Sequence, residues 1–211
     1  MAVHARAPKH TPNTVFLNIP YDEKFRPLYL AYIAGLTHLG LTPRATLEIP
    51  GGQNRLDKII GLIRSCHYSI HDLSRIEVDR TYPRTPRFNM PFELGLAVAL
   101  ATLDRTPGNW FVFEAKRHRL SKSLSDLSGT DPHIHEETTT GIMRELGNAF
   151  VRRSSANKFS VQEMMKTFRA VSLTVAEIER QTGSRSLFEA RAFRLLCTAA
   201  RKAAGVGRSD G

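Results

Sequence analysis

Between about residues 15 and 115, short β-branched and aromatic runs alternate with longer segments whose apolar residues recur at helical spacing. Strand-then-helix order, repeated, calls for parallel pairing, because each helix returns the chain to the starting edge of the sheet. Val15 to Ile19 is such a run, stopped by Pro20. From Pro27 onward Leu28, Tyr32, Ile33, Leu36 and Leu39 share a helical face, with Pro27 in the first turn and Gly40 just past the end. Leu41 to Ile49 reads as a second strand and Pro50-Gly51-Gly52 as a turn. Asn54 then caps a helix whose apolar face is Leu56, Ile59, Ile60 and Ile63. Tyr68 to Leu73 reads as a third strand, and residues 75–90, with no apolar period, as an irregular connection. The helix Pro91 to Leu103 is apolar on nearly all sides, as expected for one packed deep against a sheet, and Trp110 to Phe113 is a further strand. The expected fold is α/β: a doubly wound, mostly parallel sheet with a C-terminal α-helical extension.

After a long polar loop over residues 117–135, one apolar stripe holds Ile142, Met143, Leu146, Ala149 and Phe150. Another holds Val161, Met164, Met165, Phe168, Val175 and Ile178, and reads as packing surface between helices or against a partner. Ser160 with Glu163, and Ser186 with Glu189, match the capping box that starts a helix. Three regions follow: a basic, flexible N-terminus over 1–13, an α/β domain over 14–150, and a basic helical hairpin and flexible tail over 151–211.

Charge supports the same division. The formal net charge is +10; residues 15–150 hold 16 basic and 15 acidic groups, and residues 151–211 hold 12 basic and 5 acidic. A basic helical tail suits an acidic partner or nucleic acid, although no recognised nucleic-acid motif accompanies it, and its helices offer a surface for self-association. No apolar run approaches the roughly 18 residues of a spanning helix, and Met1 to Pro12 does not read as a secretory signal, so the expected location is cytoplasmic, away from membranes. Cys66 and Cys197 lack CxxC spacing and read as structural thiols.

In open parallel sheets, ligands bind beyond the carboxyl ends of the strands. That rule selects Asn18, Pro20 and Tyr21 after the first strand, Asp72 and Ser74 after the third, and the approach to the Glu93 helix. Glu93 stands out as a charge in an otherwise apolar helix, where an unpaired buried carboxylate costs several kcal/mol. Two explanations are open: first-turn stabilisation by free amides, or a carboxylate facing a cleft as nucleophile or charge stabiliser. Asp72 is either a turn residue or the second carboxylate of a pair over one pocket, as cleavage of an N-glycosidic bond would use.

Three segments together, Phe16-Leu17-Asn18-Ile19-Pro20-Tyr21, Asp72-Leu73-Ser74 and Asn89-Met90-Pro91-Phe92-Glu93-Leu94-Gly95, resemble the nucleoside 2-deoxyribosyltransferase-like and bacterial TIR-like superfamily over residues 14 to 115. The resemblance implies a flavodoxin-like sheet and cleavage or exchange of N-glycosidic bonds in nucleosides or NAD. It also implies that Glu93 is the principal catalytic residue, that Asp72 contacts base or sugar, and that Asn18 and Tyr21 line the pocket, with Asn89 at the helix opening. Arg75, Arg80, Arg84 and Arg87 replace the more acidic stretch usual in the transferase branch; arginines suit phosphate, which favours a nucleotide substrate with Arg87 near its phosphate. On this reading NAD or another nucleotide is a substrate, and no cofactor or metal is called for. The alternative is a non-catalytic nucleotide-sensing or self-associating module. His133 and His135, with Asp126, Asp131 and Glu136 nearby, read as loop histidines, since a lone HxH without a distant partner is a weak metal signal.

Overall fold

A computed structural model describes residues 10–52, 54–76, 82, 84–104, 109–127, 129–150 and 160–206. Five strands form one sheet in the order β2-β1-β3-β4-β5, and every neighbouring pair is parallel: β1 Thr11–Asn18, β2 Thr42–Ala45, β3 Cys66–Asp72, β4 Trp110–Glu114 and β5 His133–Ile134. The chain steps outward from β1 to β2, then crosses to the far side of β1 to lay down β3. The topological switch point therefore lies between β1 and β3.

Side-chain alternation along the strands sorts the helices onto two faces. Val15, Leu17 and Ile19 point to the face covered by α1 (Arg26–His38) and α5 (Thr139–Phe150). Phe16 points to the other, where it meets Ile59, Leu62 and Ile63 of α2 (Arg55–Ser65) and Ala97 of α3 (Asn89–Leu103). A short α4 (Arg119–Ser123) adds Leu120 to a third cluster with Leu94 and Val112.

The decisive element is α1. Every residue from Leu28 to Thr37 is buried, so the helix has no solvent face. The C-terminal helices α6 (Val161–Leu173), α7 (Val175–Thr182) and α8 (Ala190–Ala204) provide the second cover: Met164, Val171, Ile178, Phe193 and Leu196 belong to the same core as α1 and the sheet. Three polar links pin the layer. Tyr29 donates to the Leu187 carbonyl at 3.2 Å, His38 shares a hydrogen bond with Thr167 at 2.9 Å, and Arg26 pairs with Glu179. The helix ends in a Schellman motif, with Gly40 N–H to the Thr37 carbonyl, Leu41 N–H to the Leu36 carbonyl, and Gly40 at φ +77 where a side chain would be strained.

Several local expectations change. Strand β1 starts at Thr11, so residues 11–13 belong to the sheet, and Asn13 at φ 57 accompanies a register shift between Thr11 and Val15. The second strand stops at Ala45, because a 3-10 turn takes Thr46–Glu48 and the Glu48 carboxylate accepts from the Ala45 N–H. Asn54 occupies the cap position of α2 but adopts a left-handed backbone and makes no capping hydrogen bond. The inner face of α2 is Ile59, Leu62 and Ile63, and Leu56 is exposed. Helix α3 is not packed deep: Phe92 and Leu103 are 54% and 74% exposed, because nothing covers its outer side among the described residues. At Ser160 half of the box forms, its hydroxyl accepting from the Glu163 N–H while the Glu163 carboxylate pairs with Lys166; Ser186/Glu189 forms none, since α8 begins only after Glu189. The loop over 117–135 contains α4, a 3-10 turn and β5. Residues 1–9, 151–159 and 207–211, and with them most of the expected flexible termini, lie outside the described residues.

Because one core joins the C-terminal helices to α1 and the sheet, unfolding is expected to be a single transition. Leu196→Ala, at a fully buried site, should cost about 3 kcal/mol. The fluorescence of Trp110 on β4, the one tryptophan, should shift together with far-UV circular dichroism in a denaturant titration. Separate transitions would show that α8 is not part of the cooperative unit.

Candidate functional site

The carboxyl edge of the sheet carries two polar groups on opposite faces. On the α2/α3 face, Asn18 ends β1, and its amide nitrogen donates to the Met90 carbonyl at 2.8 Å and to His71 Nδ1 at 2.9 Å. Both amide hydrogens are thus used to tie β1 to β3 and to the start of α3. His71 is fully buried and bonds to Ser69 through Nε2 at 3.0 Å. Burial lowers its pKa to about 3, so the ring is neutral.

Glu93 lies beside this link, 7% exposed. It is the fifth residue of α3, and α3 has no acid in its first turn, so the first-turn explanation of this charge does not hold. No hydrogen bond or ion pair holds the carboxylate among the described residues. Burial raises its pKa to about 7, with Arg55 at the start of α2 acting in the opposite sense. The Glu93 charge in turn adds to the rise in the pKa of Tyr21, which comes first from burial, while a hydrogen bond with Thr46 opposes it. Glu93, Tyr21, Thr46 and Arg55 therefore share one neighbourhood at the ends of β1 and β2, beside the switch point. Tyr21 is half-buried: its hydroxyl donates to the Leu17 carbonyl at 3.3 Å and its ring packs on Tyr29 and Phe188. Pro20 is buried at the exit of β1, and Asn89 is exposed at the first position of α3.

Asp72 has other neighbours. It ends β3 on the α1 face, fully buried, where it accepts from the Tyr32 hydroxyl at 2.8 Å and the Ser74 N–H at 2.9 Å. The Nε2 of His135 stands 3.3 Å from the same carboxylate. Burial alone would raise the pKa of Asp72, but His135 and Ser74 outweigh it and hold the carboxyl below its usual value. No hydrogen bond or ion pair joins Asp72 to Glu93 among the described residues.

Two members of this second group escaped the sequence reading. His135, taken for a loop histidine, is fully buried, and its Nδ1 accepts from the Glu137 N–H at 3.1 Å. Glu114 ends β4, also fully buried; it accepts from the Ala115 N–H at 3.0 Å, and burial raises its pKa to about 7. The signal for Glu114 was a charge closing the apolar run Trp110 to Phe113. His135 had none, because a two-residue strand leaves no periodicity to read. Gly141 fixes its placement, since a Cβ there would stand 2.0 Å from the His135 carbonyl oxygen.

The arginines are partly engaged. Arg75 and Arg87 both bond to Asp22, at 3.0 and 2.8 Å, which clamps the loop after β3 to the loop after β1. Arg84 is exposed, and Arg80 lies outside the described residues. Cys66 and Cys197 are buried thiols with pKa raised by burial to about 11 and about 12, consistent with packing roles. Among the described residues, no group of three or more metal-binding side chains is found, and no helix is long and apolar enough to cross a membrane.

Fold and edge chemistry together define an α/β protein with a five-stranded, all-parallel sheet of order 2-1-3-4-5, followed by C-terminal helices. Compared with known protein families, with curated proteins and with solved structures, the chain matches none.

Glu93 generates a pH prediction. An acid whose folded pKa lies near 7 against an ordinary 4.5 destabilises the fold as pH rises through that interval, because the unfolded chain releases the proton first. Below pH 4.5 the difference vanishes, and above 7 it is constant. Glu93→Gln should therefore gain stability over wild type by up to about 3 kcal/mol as pH rises across this window, read from chemical denaturation at a series of pH values. A pH-independent difference would show that Glu93 is not buried as a carboxylate.

Proposed function

We propose that the protein hydrolyses or transfers at the N-glycosidic bond of a nucleotide such as NAD, with Glu93 as the catalytic residue. The observation that carries the reading is a nearly buried carboxylate without a hydrogen-bonding or ion-pairing partner among the described residues, at the carboxyl edge beside the switch point of a parallel sheet. Such a charge is costly to keep unless it acts on something that enters the site.

In this mechanism the ionised Glu93 faces the anomeric carbon and stabilises, or covalently traps, the oxocarbenium-like sugar as the base departs; water or a second base then takes the sugar. Asn18 acts as a positioning residue. Its two bonds fix the start of α3, and so the carboxylate, relative to β1. Arg55 supplies the nearby positive charge for an anionic group of the substrate. Arg87 is a weaker phosphate partner, because Asp22 already engages it at 2.8 Å. Asp72, fully buried and hydrogen-bonded, supports the edge from the opposite face. The three-segment resemblance to the deoxyribosyltransferase-like and TIR-like superfamily agrees with this assignment.

The test is incubation of wild type and Glu93→Gln with NAD, nucleotides and deoxynucleosides, with released base resolved by mass. Wild type should release base, and the variant should be slower by about a hundredfold or more. The wild-type rate should climb with pH through about 7 as Glu93 ionises and level off above. Equal turnover by the variant would overturn the mechanism.

A further inference from the structure

Helix α3 turns one side to the sheet, where Met90, Glu93, Leu94 and Ala97 are buried. Its flanks are occupied as well: Leu96 and Leu100 pack on the α2 cluster and Val98 on the cluster that holds Leu120 of α4. The remaining side, at spacings of three and four residues from the cap, is Phe88, Phe92, Gly95, Ala99, Thr102 and Leu103, all exposed. Of the seven large apolar side chains exposed among the described residues, Phe88, Phe92 and Leu103 are three. We infer that this outer face of α3 docks against the same face of a second copy of the chain, in a symmetric dimer.

The face has the chemistry of a buried surface. It holds no charged residue, and its one hydroxyl, on Thr102, already donates to the Val98 carbonyl at 2.9 Å. A helix that is apolar on every side belongs where every side is covered, and the sheet, α2 and α4 cover three. Gly95 is an independent observation. It sits in mid-helix without a positive φ, where glycine weakens a helix relative to alanine. A Cβ added there would meet nothing within 4 Å, so no neighbour inside the chain calls for the glycine. A backbone approaching closely from outside does, with Ala99 one turn further along.

Sequence, charge and area select a second copy as the occupant. The segments outside the described residues that adjoin α3 read Glu-Val-Asp-Arg-Thr over 77–81 and Arg-Thr-Pro-Gly over 105–108, and neither offers an apolar stripe. Segments 1–9 and 151–159 hold two and three Lys or Arg residues and at most two large apolar residues each. The C-terminal stripe expected to serve self-association is used in the core around α1, on the other side of the sheet. With a formal net charge of +10, two copies repel unless they meet on a face without free charge. At both ends of the α3 face the flanking ions are paired within the chain, Arg87 with Asp22 at 2.8 Å and Asp104 with Arg64 at 3.7 Å. Phe88 and Phe92, 67% and 54% exposed, present about 240 Å², and with Leu103 and the small residues between them the face reaches about 450 Å². Two such faces cover about 900 Å² in total, the size of a weak, reversible contact rather than a permanent one. The inference does not depend on chemistry at Glu93, which lies on the inner side of the helix.

The experiment is sedimentation equilibrium of the full chain over about 5 to 500 μM. Wild type should pass from the mass of one chain toward that of two, with a dissociation constant of about 10–100 μM. Ala99→Glu and Leu103→Glu, at exposed positions, should each weaken association by about tenfold or more, because a symmetric contact buries both new charges. Leu173→Glu, at an exposed apolar site on α6 across the sheet, should dimerise as wild type does. Gly95→Ala separates docking from helix stability: in dilute solution it should melt about 2 °C higher than wild type, yet dimerise about threefold more weakly. It also carries the test if either charged variant fails to fold. Flotation with neutral phospholipid vesicles examines the competing occupant. Wild type that floats with vesicles, loses this in Ala99→Glu and stays monomeric without them would assign the face to a lipid surface and overturn the proposal. A monomer at every concentration would overturn it too, as would a dimer that none of the three α3 variants weakens.

Discussion

The burial of α1 on all sides is the constraint from which the rest of the architecture follows. Its ten consecutive buried residues, Leu28 to Thr37, leave no face for water, so a sheet alone cannot satisfy them. The helix needs one layer of sheet and another of helix, and α6 to α8 are the second layer. That is why the Met164 and Ile178 stripe is used within the chain, and why Leu196 on α8 and Ile70 on β3 sit in one core. The basic character of the C-terminal region remains on the outer sides of these helices, where Arg194 and Arg201 are exposed.

With α1 held on both sides, its starting turn is fixed at the carboxyl edge, and polar chemistry collects there for a physical reason. Every strand is parallel, so every strand-to-helix crossing opens at this edge, and the loops that carry polar side chains gather with it. The sheet nevertheless divides them. Successive residues of β3 point to opposite faces, so His71 joins Asn18 and the approach to Glu93, while Asp72 joins Tyr32 and His135. The two carboxylates that read as one pair along the chain therefore have different partners and different ionisation: Asp72 held charged by its neighbours, Glu93 pushed toward the neutral form by burial.

Local patterns carried much of this reading where a long element repeats its signal. The helical faces of α1 and α5 and the cap at Ser160 were legible because several residues at fixed spacing report the same structure. They failed where one residue stood for an element. Ser186 matches a helix start but lies before the turn that leads to α8, and Asn54 holds a cap position with a backbone that directs its side chain elsewhere. The all-apolar α3 was read as deeply buried because composition does not say how many neighbours a helix has.

The sequence by itself determined the fold class and the parallel sense of the sheet, since these depend on periodicities, and it singled out Glu93 as a single charge in an apolar run. Only the tertiary structure decided who meets whom. The clamp of Asp22 on Arg75 and Arg87 and the burial of His135 against Asp72 both join residues distant along the chain. Such contacts are set by strand order and by which face each residue takes, and neither quantity leaves a local mark in the sequence.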